Sequence, residues 1–247
     1  MKILILFFIS FLFQPSFGQS LSDMHIMTEQ YPPLNYERHG KLRGISVDIL
    51  EEIFIELGLE RRRDSINIYP WPRAYNMIQH NSMEMLFSMV RTDEREMMFK
   101  WVGPITSSEI VLFAKKSKNI VINDQGDLVK YRKIGVVKSD IGELLLKSKM
   151  NVSGDQLYFV KNSEAGINML TAGRIDMFAY ERIVGLWNVR EIGLNPDDYE
   201  VVYILSANDY YYAFSKDVPD SIIKKIQEAF DRLKKSGAID KAIKNYF

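Results

Sequence analysis

Cysteine is absent from the 247 residues. That excludes disulfides, thiolate metal sites, a cysteine nucleophile and a lipid-modified cysteine, and points to a chain without an anchor. Histidine is scarce, at three residues: His25, His39 and His80. None falls in a loop expected to face a cleft, so neither a serine–histidine nor a histidine–metal arrangement is visible. No cofactor is implied. An excess of one charge sign is missing too: 32 basic residues balance 32 acidic ones. A neutral chain with interspersed charges has no footprint for a polyanion, which argues against nucleic acid as a partner. Beyond the N-terminus no apolar run approaches the ~20 residues of a membrane-spanning helix.

The N-terminus itself is distinctive. Lys2 is followed by an apolar run over residues 3–13, broken only by Ser10, then by Pro15 and the small residues Ser16 and Gly18 around Phe17. This layout predicts a cleaved secretory signal over residues 1–18, with cleavage after Ser20 as the close alternative. The mature chain is then expected in the periplasm, free and monomeric.

Downstream, strand and helix signatures alternate. Strands are predicted over 24–28, 66–69 and 85–90. Helices are predicted from Asp48 as a cap to Gly58, from Pro72 to a left-handed turn at Asn81, and from Thr92. The order β-α-β-α-β-α implies a mainly parallel sheet with helices on both faces. A second round follows, with strands at 110–114, 134–137, 157–160, 174–180, 201–205 and 210–214. Its helices fall at 141–149 and 163–172, and two more close the chain at 221–235 and 238–246. Residues 76–87 and 168–179 repeat one design of helix end, turn, acidic residue and buried strand. Two similar lobes fit this pattern. In open α/β sheets ligands sit at the carboxyl ends of strands, which is where Ser88 and Glu181 fall.

Several residues there suit ligand binding. Tyr31, in the stiff Tyr31-Pro32-Pro33-Leu34-Asn35-Tyr36 loop, and Trp71 stand after successive strands. Two such rings suit either core packing or the walls of a cleft that sandwiches an apolar or cationic body. In Arg91-Thr92-Asp93-Glu94-Arg95-Glu96, Arg95 is either a solvated residue of a capped helix start or a fork for a ligand carboxylate.

The same segments, with Gly44-Ile45-Ser46-Val47-Asp48-Ile49, Gly103-Pro104-Ile105 and Ala172-Gly173-Arg174-Ile175-Asp176, resemble the periplasmic solute-binding proteins of family 3. These are the polar-amino-acid receptors of ABC importers, and the resemblance covers essentially the whole mature chain. It implies a two-lobed periplasmic-binding-protein fold of class α/β, each lobe a mainly parallel sheet flanked by helices, joined by two hinge segments near 107–111 and 205–210. Lobe 1 would comprise 19–108 and 209–247, and lobe 2 residues 109–208. The resemblance further implies a small amino-acid-like ligand, a membrane permease as partner, and closure by hinge motion.

Residue by residue, Arg95 stands where the family clamps the ligand's α-carboxylate, and Ser88 where a hydroxyl or backbone group assists. Tyr31 and Trp71 stand at the aromatic walls, and Glu181 where an aspartate usually holds the α-ammonium. The chain also departs from the pattern. Val90 replaces a common hydroxyl. Ser139-Asp140 stands where Gly-Thr usually serves the carboxylate, and Asp140 would either repel an anion or cap a helix. Arg73 could add a second cation to the cleft. Glu181, a methylene longer than aspartate, would favour a compact ligand or a displaced amine, unless it pairs at the surface with Arg174 or Arg182. A dehydratase-like enzyme using Glu181 and Asp140 as acid and base, or a sensory module, remain as alternatives on this scaffold.

Overall fold

A computed structural model describes residues 21–60, 63–131 and 133–246; the predicted signal at 1–18 lies outside them. The chain runs through β1 (His25–Thr28), the hairpin β2 (Tyr36–Arg38) and β3 (Lys41–Arg43), α1 (Ile45–Glu56), β4 (Ile66–Ile68), α2 (Trp71–His80), β5 (Glu84–Val90), the one-turn α3 (Asp93–Glu96) and β6 (Lys100–Val102). It continues with β7 (Ser107–Lys115), β8 (Ile134–Val137), α4 (Ile141–Ser148), β9 (Leu157–Val160), α5 (Ser163–Thr171), β10 (Met177–Glu181), α6 (Arg182–Glu191), β11 (Tyr199–Phe214), α7 (Asp220–Lys235) and α8 (Ala238–Lys244).

The main sheet has the order β4-β1-β5-β11-β7-β10-β8-β9, with β6 also paired to β11. On one side β4, β1 and β5 are mutually parallel; on the other β10, β8 and β9 are. Between them β7 and β11 lie antiparallel and join the halves. The long β11 changes partner along its length: residues 199–209 pair with β7, and residues 210–214 pair with β5. This is the two-lobed architecture expected from the sequence, with a helical layer on each lobe. β5 is buried at every position because it sits between β1 and β11. On α7 the buried residues Ile222, Ile226, Ala229, Phe230 and Leu233 form one stripe at helical spacing, which packs toward α1.

Several local expectations are corrected. Helix α1 starts at Ile45 rather than on an Asp48 cap. Asp48 instead accepts a hydrogen bond from the Tyr246 hydroxyl at 2.9 Å and pairs with Arg63. The left-handed residue after α2 is Met83, not Asn81, whose backbone is extended. An Asp217 carboxylate holds Met83 by accepting its N–H at 3.0 Å, while the Asn81 amide donates to Glu84. The strands expected at 201–205 and 210–214 are one, because pairing with Ser108 and Ser107 keeps the turn-formers Asn208 and Asp209 extended. The hairpin β2–β3, β6 and α6 were not expected at all. In the hairpin, His39 and Gly40 both take positive φ, which is how a two-residue turn closes.

One contact matters for the site. Gly44, at φ 126°, lets the 31–35 loop lie on the start of α1, where a Cβ would stand 2.2 Å from the Leu34 carbonyl oxygen. Ile45 and Ser46 donate their N–H groups to the Pro33 and Leu34 carbonyls. This seat carries Tyr31 to the lobe boundary.

Candidate functional site

The carboxyl ends of the strands from both lobes converge beside the β7–β11 crossing. From lobe 1 the short α3 supplies Arg95, its backbone capped by the Thr92 hydroxyl. The side chain is only 1% exposed. Nη1 donates to the Val90 carbonyl at 3.1 Å, and Nη2 donates across the cleft to the Ser139 carbonyl at 3.4 Å. The guanidinium lies 5.5 Å from the Trp71 ring centroid and 5.0 Å from that of Tyr75. Its Nε is buried without a hydrogen-bond partner. Among the described residues no carboxylate comes close enough to form an ion pair with it. A buried cation lacking an ion-pair partner is costly unless something else completes its shell.

Trp71 is buried with Met27, Leu86 and Met89 in a small core beneath α2. Its indole N–H nevertheless reaches over the boundary to donate to the Ser139 carbonyl at 2.9 Å. Core packing and cleft wall, alternatives in the sequence, are combined in this residue. Tyr31 likewise is buried, with its hydroxyl 2.9 Å from that of Tyr210 and its ring edge-on to Tyr180 of lobe 2 at 5.6 Å. Ser88 sits at φ 61°, where the β5–β11 register shifts. Its hydroxyl is bonded to that of Ser46 at 2.7 Å.

From lobe 2, Ser139 takes φ 61° and turns its carbonyl toward Arg95 and Trp71 while its N–H donates to Glu143. Asp140 caps α4, accepting the Ile141 N–H at 2.7 Å. Burial pushes its carboxyl up to about 6, against the opposing pull of that N–H and of Arg95. Glu181 is 2% exposed. It caps α6, accepting the Val184 N–H at 2.7 Å, with the Glu109 N–H at 3.5 Å. Burial raises it to about 7 although both N–H groups favour its charge. It is not a surface residue: Arg182, once a possible partner, pairs with Glu109 instead. Glu181 lines a cavity of about 540 Å³ beside the crossing strands. Arg73 is exposed on α2 and stacks over Tyr69 at 4.5 Å. It therefore brings no second cation into the cleft.

Sequence reasoning passed over Glu29, which it left in a polar loop. Glu29 directly follows β1, and burial raises its carboxyl well above the usual range, with Asp140 adding and Arg95 subtracting. Its position at a strand's carboxyl end was the available signal, the one that picked out Ser88 and Glu181.

Residues 24–247 match the family model of the bacterial extracellular solute-binding proteins, family 3. The chain belongs to this family. As a family 3 solute-binding protein it is 24% identical to the probable amino-acid-binding protein YxeM of Bacillus subtilis, over 89% of this chain and 81% of that one. Its fold is that of an ancestral arginine-binding protein bound to arginine, at TM-score 0.77 and 24% identity over 91% of this chain and 97% of that one. It is similarly close to a histidine kinase sensor domain with similarity to periplasmic binding proteins, at TM-score 0.78 and 17% identity over 91% and 96%. Among the described residues no helix is long and apolar enough to cross a membrane, and no cluster of side chains suits a metal ion.

Proposed function

We propose that this family 3 solute-binding protein is a periplasmic receptor that captures a small amino-acid-like solute for an ABC importer and releases it unchanged. The observation that carries the reading is Arg95: a fully buried guanidinium at the lobe boundary, with a free Nε and two carbonyls but no carboxylate on its fork. A ligand carboxylate would supply what the chain does not. Residues 19–108 and 209–247 move as one lobe and 109–208 as the other, bending where β7 and β11 cross. Ligand contacts come from Tyr31, Trp71, Ser88 and Arg95 on one side and from Ser139, Asp140 and Glu181 on the other. A ligand touching both sides favours the closed form, since only differential affinity shifts such an equilibrium. The likeness to a sensor domain supports a second reading, in which the same captured ligand is reported to a partner rather than handed to a permease.

The test is a thermal-shift screen of amino acids, amines and small carboxylates, followed by calorimetry. A charge-assisted hydrogen bond is worth about 1.5–3 kcal/mol, so Arg95→Ala is expected to weaken binding by roughly tenfold to more than a hundredfold. Arg95→Lys, which loses the fork, weakens it too. Unchanged affinity in both variants refutes the anion-clamp reading, and a turned-over compound refutes release unchanged.

A further inference from the structure

The lobes also touch outside the candidate site. From lobe 1, strand β2 of the hairpin brings the Tyr36 ring to 6.2 Å from the Trp187 ring of α6 in lobe 2, tilted at 49°. Further along the same strand, Arg38 Nη2 stands 3.4 Å from Glu191 Oε2 of the same helix. None of the four lines the cavity beside Glu181 or the one beside Trp71. We propose that these four side chains form a clasp that holds the lobes together before any solute enters, and so sets the affinity of the whole site without touching the solute. The inference rests on the hinge motion of the receptor reading and deepens it: Tyr36 and Trp187 are positioning residues for a site they do not line.

The two pairs are matched in spacing. Tyr36 and Arg38 are alternate residues of a strand and share a face, about 6.6 Å apart along it. Trp187 and Glu191 are four apart on a helix and share a face, about 6 Å apart along it. A strand lying along the helix therefore meets it at both points together. Both carriers are firmly seated. On β2, Glu37 pairs with Leu42 of β3, which is buried in lobe 1, and the opposite face carries Tyr36 and Arg38. The other edge of Glu37 is held by the Gln30 side chain, whose amide donates to the Glu37 carbonyl at 3.0 Å and whose oxygen accepts its N–H at 2.8 Å. Helix α6 lies so close to β7 that a Cβ on Gly185 would stand 2.5 Å from the Phe113 ring, and it buries Val184 and Val189 as well. Parting the clasp therefore means moving the lobes rather than a loose loop.

The ring pair carries the larger share. Arg38 and Glu191 are each about half exposed. Such an ion pair shifts an equilibrium by no more than about fivefold, and less as salt rises. Tyr36 and Trp187 are partly shielded from water, and an aromatic pair at this separation shifts it by about two- to tenfold. Apparent affinity scales with the fraction of receptor in the binding-competent form. A factor lost at the clasp is thus lost for every solute alike, whereas contacts at Arg95 or Glu181 choose among solutes.

Pulsed electron spin resonance on the ligand-free protein tests this. The chain has no cysteine, so Gln79→Cys on α2 and Glu164→Cys on α5, both at exposed positions, place one spin label on each lobe. Trp187→Ala and Tyr36→Ala should each lower the ratio of short to long distances by about two- to tenfold. The double variant should lower it no further than either alone. Trp187→Phe, which keeps a ring for Tyr36, should restore most of the ratio and guards against a merely misfolded alanine variant. In the thermal-shift screen, compounds that bind the wild type should keep their order with Trp187→Ala, each weaker by up to about tenfold. Unchanged distances in both alanine variants overturn the clasp, as do losses that simply add in the double variant or a reordered set of compounds. If Trp71→Phe opens the labelled protein while the alanine variants do not, the clasp falls and the hinge stands; if none of them opens it, the hinge falls too. A screen in which nothing binds counts against the receptor reading alone, and the distances still decide the clasp.

Discussion

Glu181 makes a strong prediction about the ligand-free protein. Its carboxyl goes from the ordinary glutamate value of 4.5 to about 7 on folding, chiefly through burial. Below pH 4.5 both folded and unfolded chains hold this proton, and stability is at its full value. Between 4.5 and 7 the unfolded chain releases the proton first, so the folded state binds more protons and stability falls as pH rises. Above 7 both are ionised and the loss is complete. At ~1.4 kcal/mol per pH unit, the total comes to about 3 kcal/mol. Asp140, with a window that closes near pH 6, and Glu29 act in the same direction, so Glu181's own share, about 1 kcal/mol between pH 6 and 8, is read from the difference between wild type and a variant lacking its charge. The groups facing Glu181 do not cancel this. The neighbouring Glu109 raises it further, and Arg182, which could have lowered it, is engaged by Glu109. Glu181→Gln keeps an oxygen to accept the Val184 N–H while removing the titration. Urea unfolding at pH 5, 6, 7 and 8, without ligand, is the assay. The wild type is expected to lose stability relative to the variant at each step. Stability profiles that run parallel in the two proteins would refute the reasoning and place the Glu181 carboxylate in contact with water.

Two further outcomes follow from the geometry. Gly44→Ala forces a Cβ to 2.2 Å from the Leu34 carbonyl oxygen at a φ of 126°, so thermal denaturation should show a loss of at least ~3 kcal/mol. A loss under ~1 kcal/mol would mean that the 31–35 loop is not seated on α1 as described. Trp71→Phe keeps the ring in its small core but removes the N–H that spans the lobes to Ser139, a bond worth about 1 kcal/mol. Small-angle scattering of the ligand-free variant should show a shift toward a larger radius of gyration, and saturating ligand should reverse it. An identical radius in variant and wild type, with and without ligand, would argue for a rigid site.

What the sequence disclosed and what it concealed divide on physical lines. β8 stands where its apolar run placed it, because a buried parallel strand leaves an uninterrupted apolar signature; β9 follows its apolar run as well, although Tyr158 and Phe159 are exposed on this edge strand. Arg95, on α3, and Trp71, at the start of α2, are both buried and both donate to the Ser139 carbonyl. The misses concern partners remote in the chain. Asp48 looks like a helix cap until Tyr246 and Arg63 claim its carboxylate. Asn208 and Asp209 look like a turn until β7 lies alongside them. Glu181 was read as a strand end, yet it also starts α6, whose Gly185 and scattered polar residues disguise it in the sequence. Arg73 sat two residues from Trp71 in sequence, and two helical steps turned it to the outer face of α2. Glu29 was hidden because it was read as part of a polar loop, although it directly follows β1 as Glu181 ends β10.

The exchange of partners along β11 also constrains how the molecule comes to be folded. The sheet of lobe 2 draws on strands from β7 to the first part of β11, an uninterrupted stretch of chain. The sheet of lobe 1 draws β1, β4 and β5 from the first ninety residues or so and then waits for residues 210–214 to pair beside β5. The stripe of α7 that covers α1 comes later still. A chain emerging from its N-terminus therefore holds its first-made strands unclosed until residues 210–214 are made. Long-range closure of this kind is slow and leaves apolar strands exposed meanwhile. The β7 pairing of residues 199–209 can be complete while lobe 1 is still half a sheet, so a truncation just before residue 210 would leave β5 without its β11 partner.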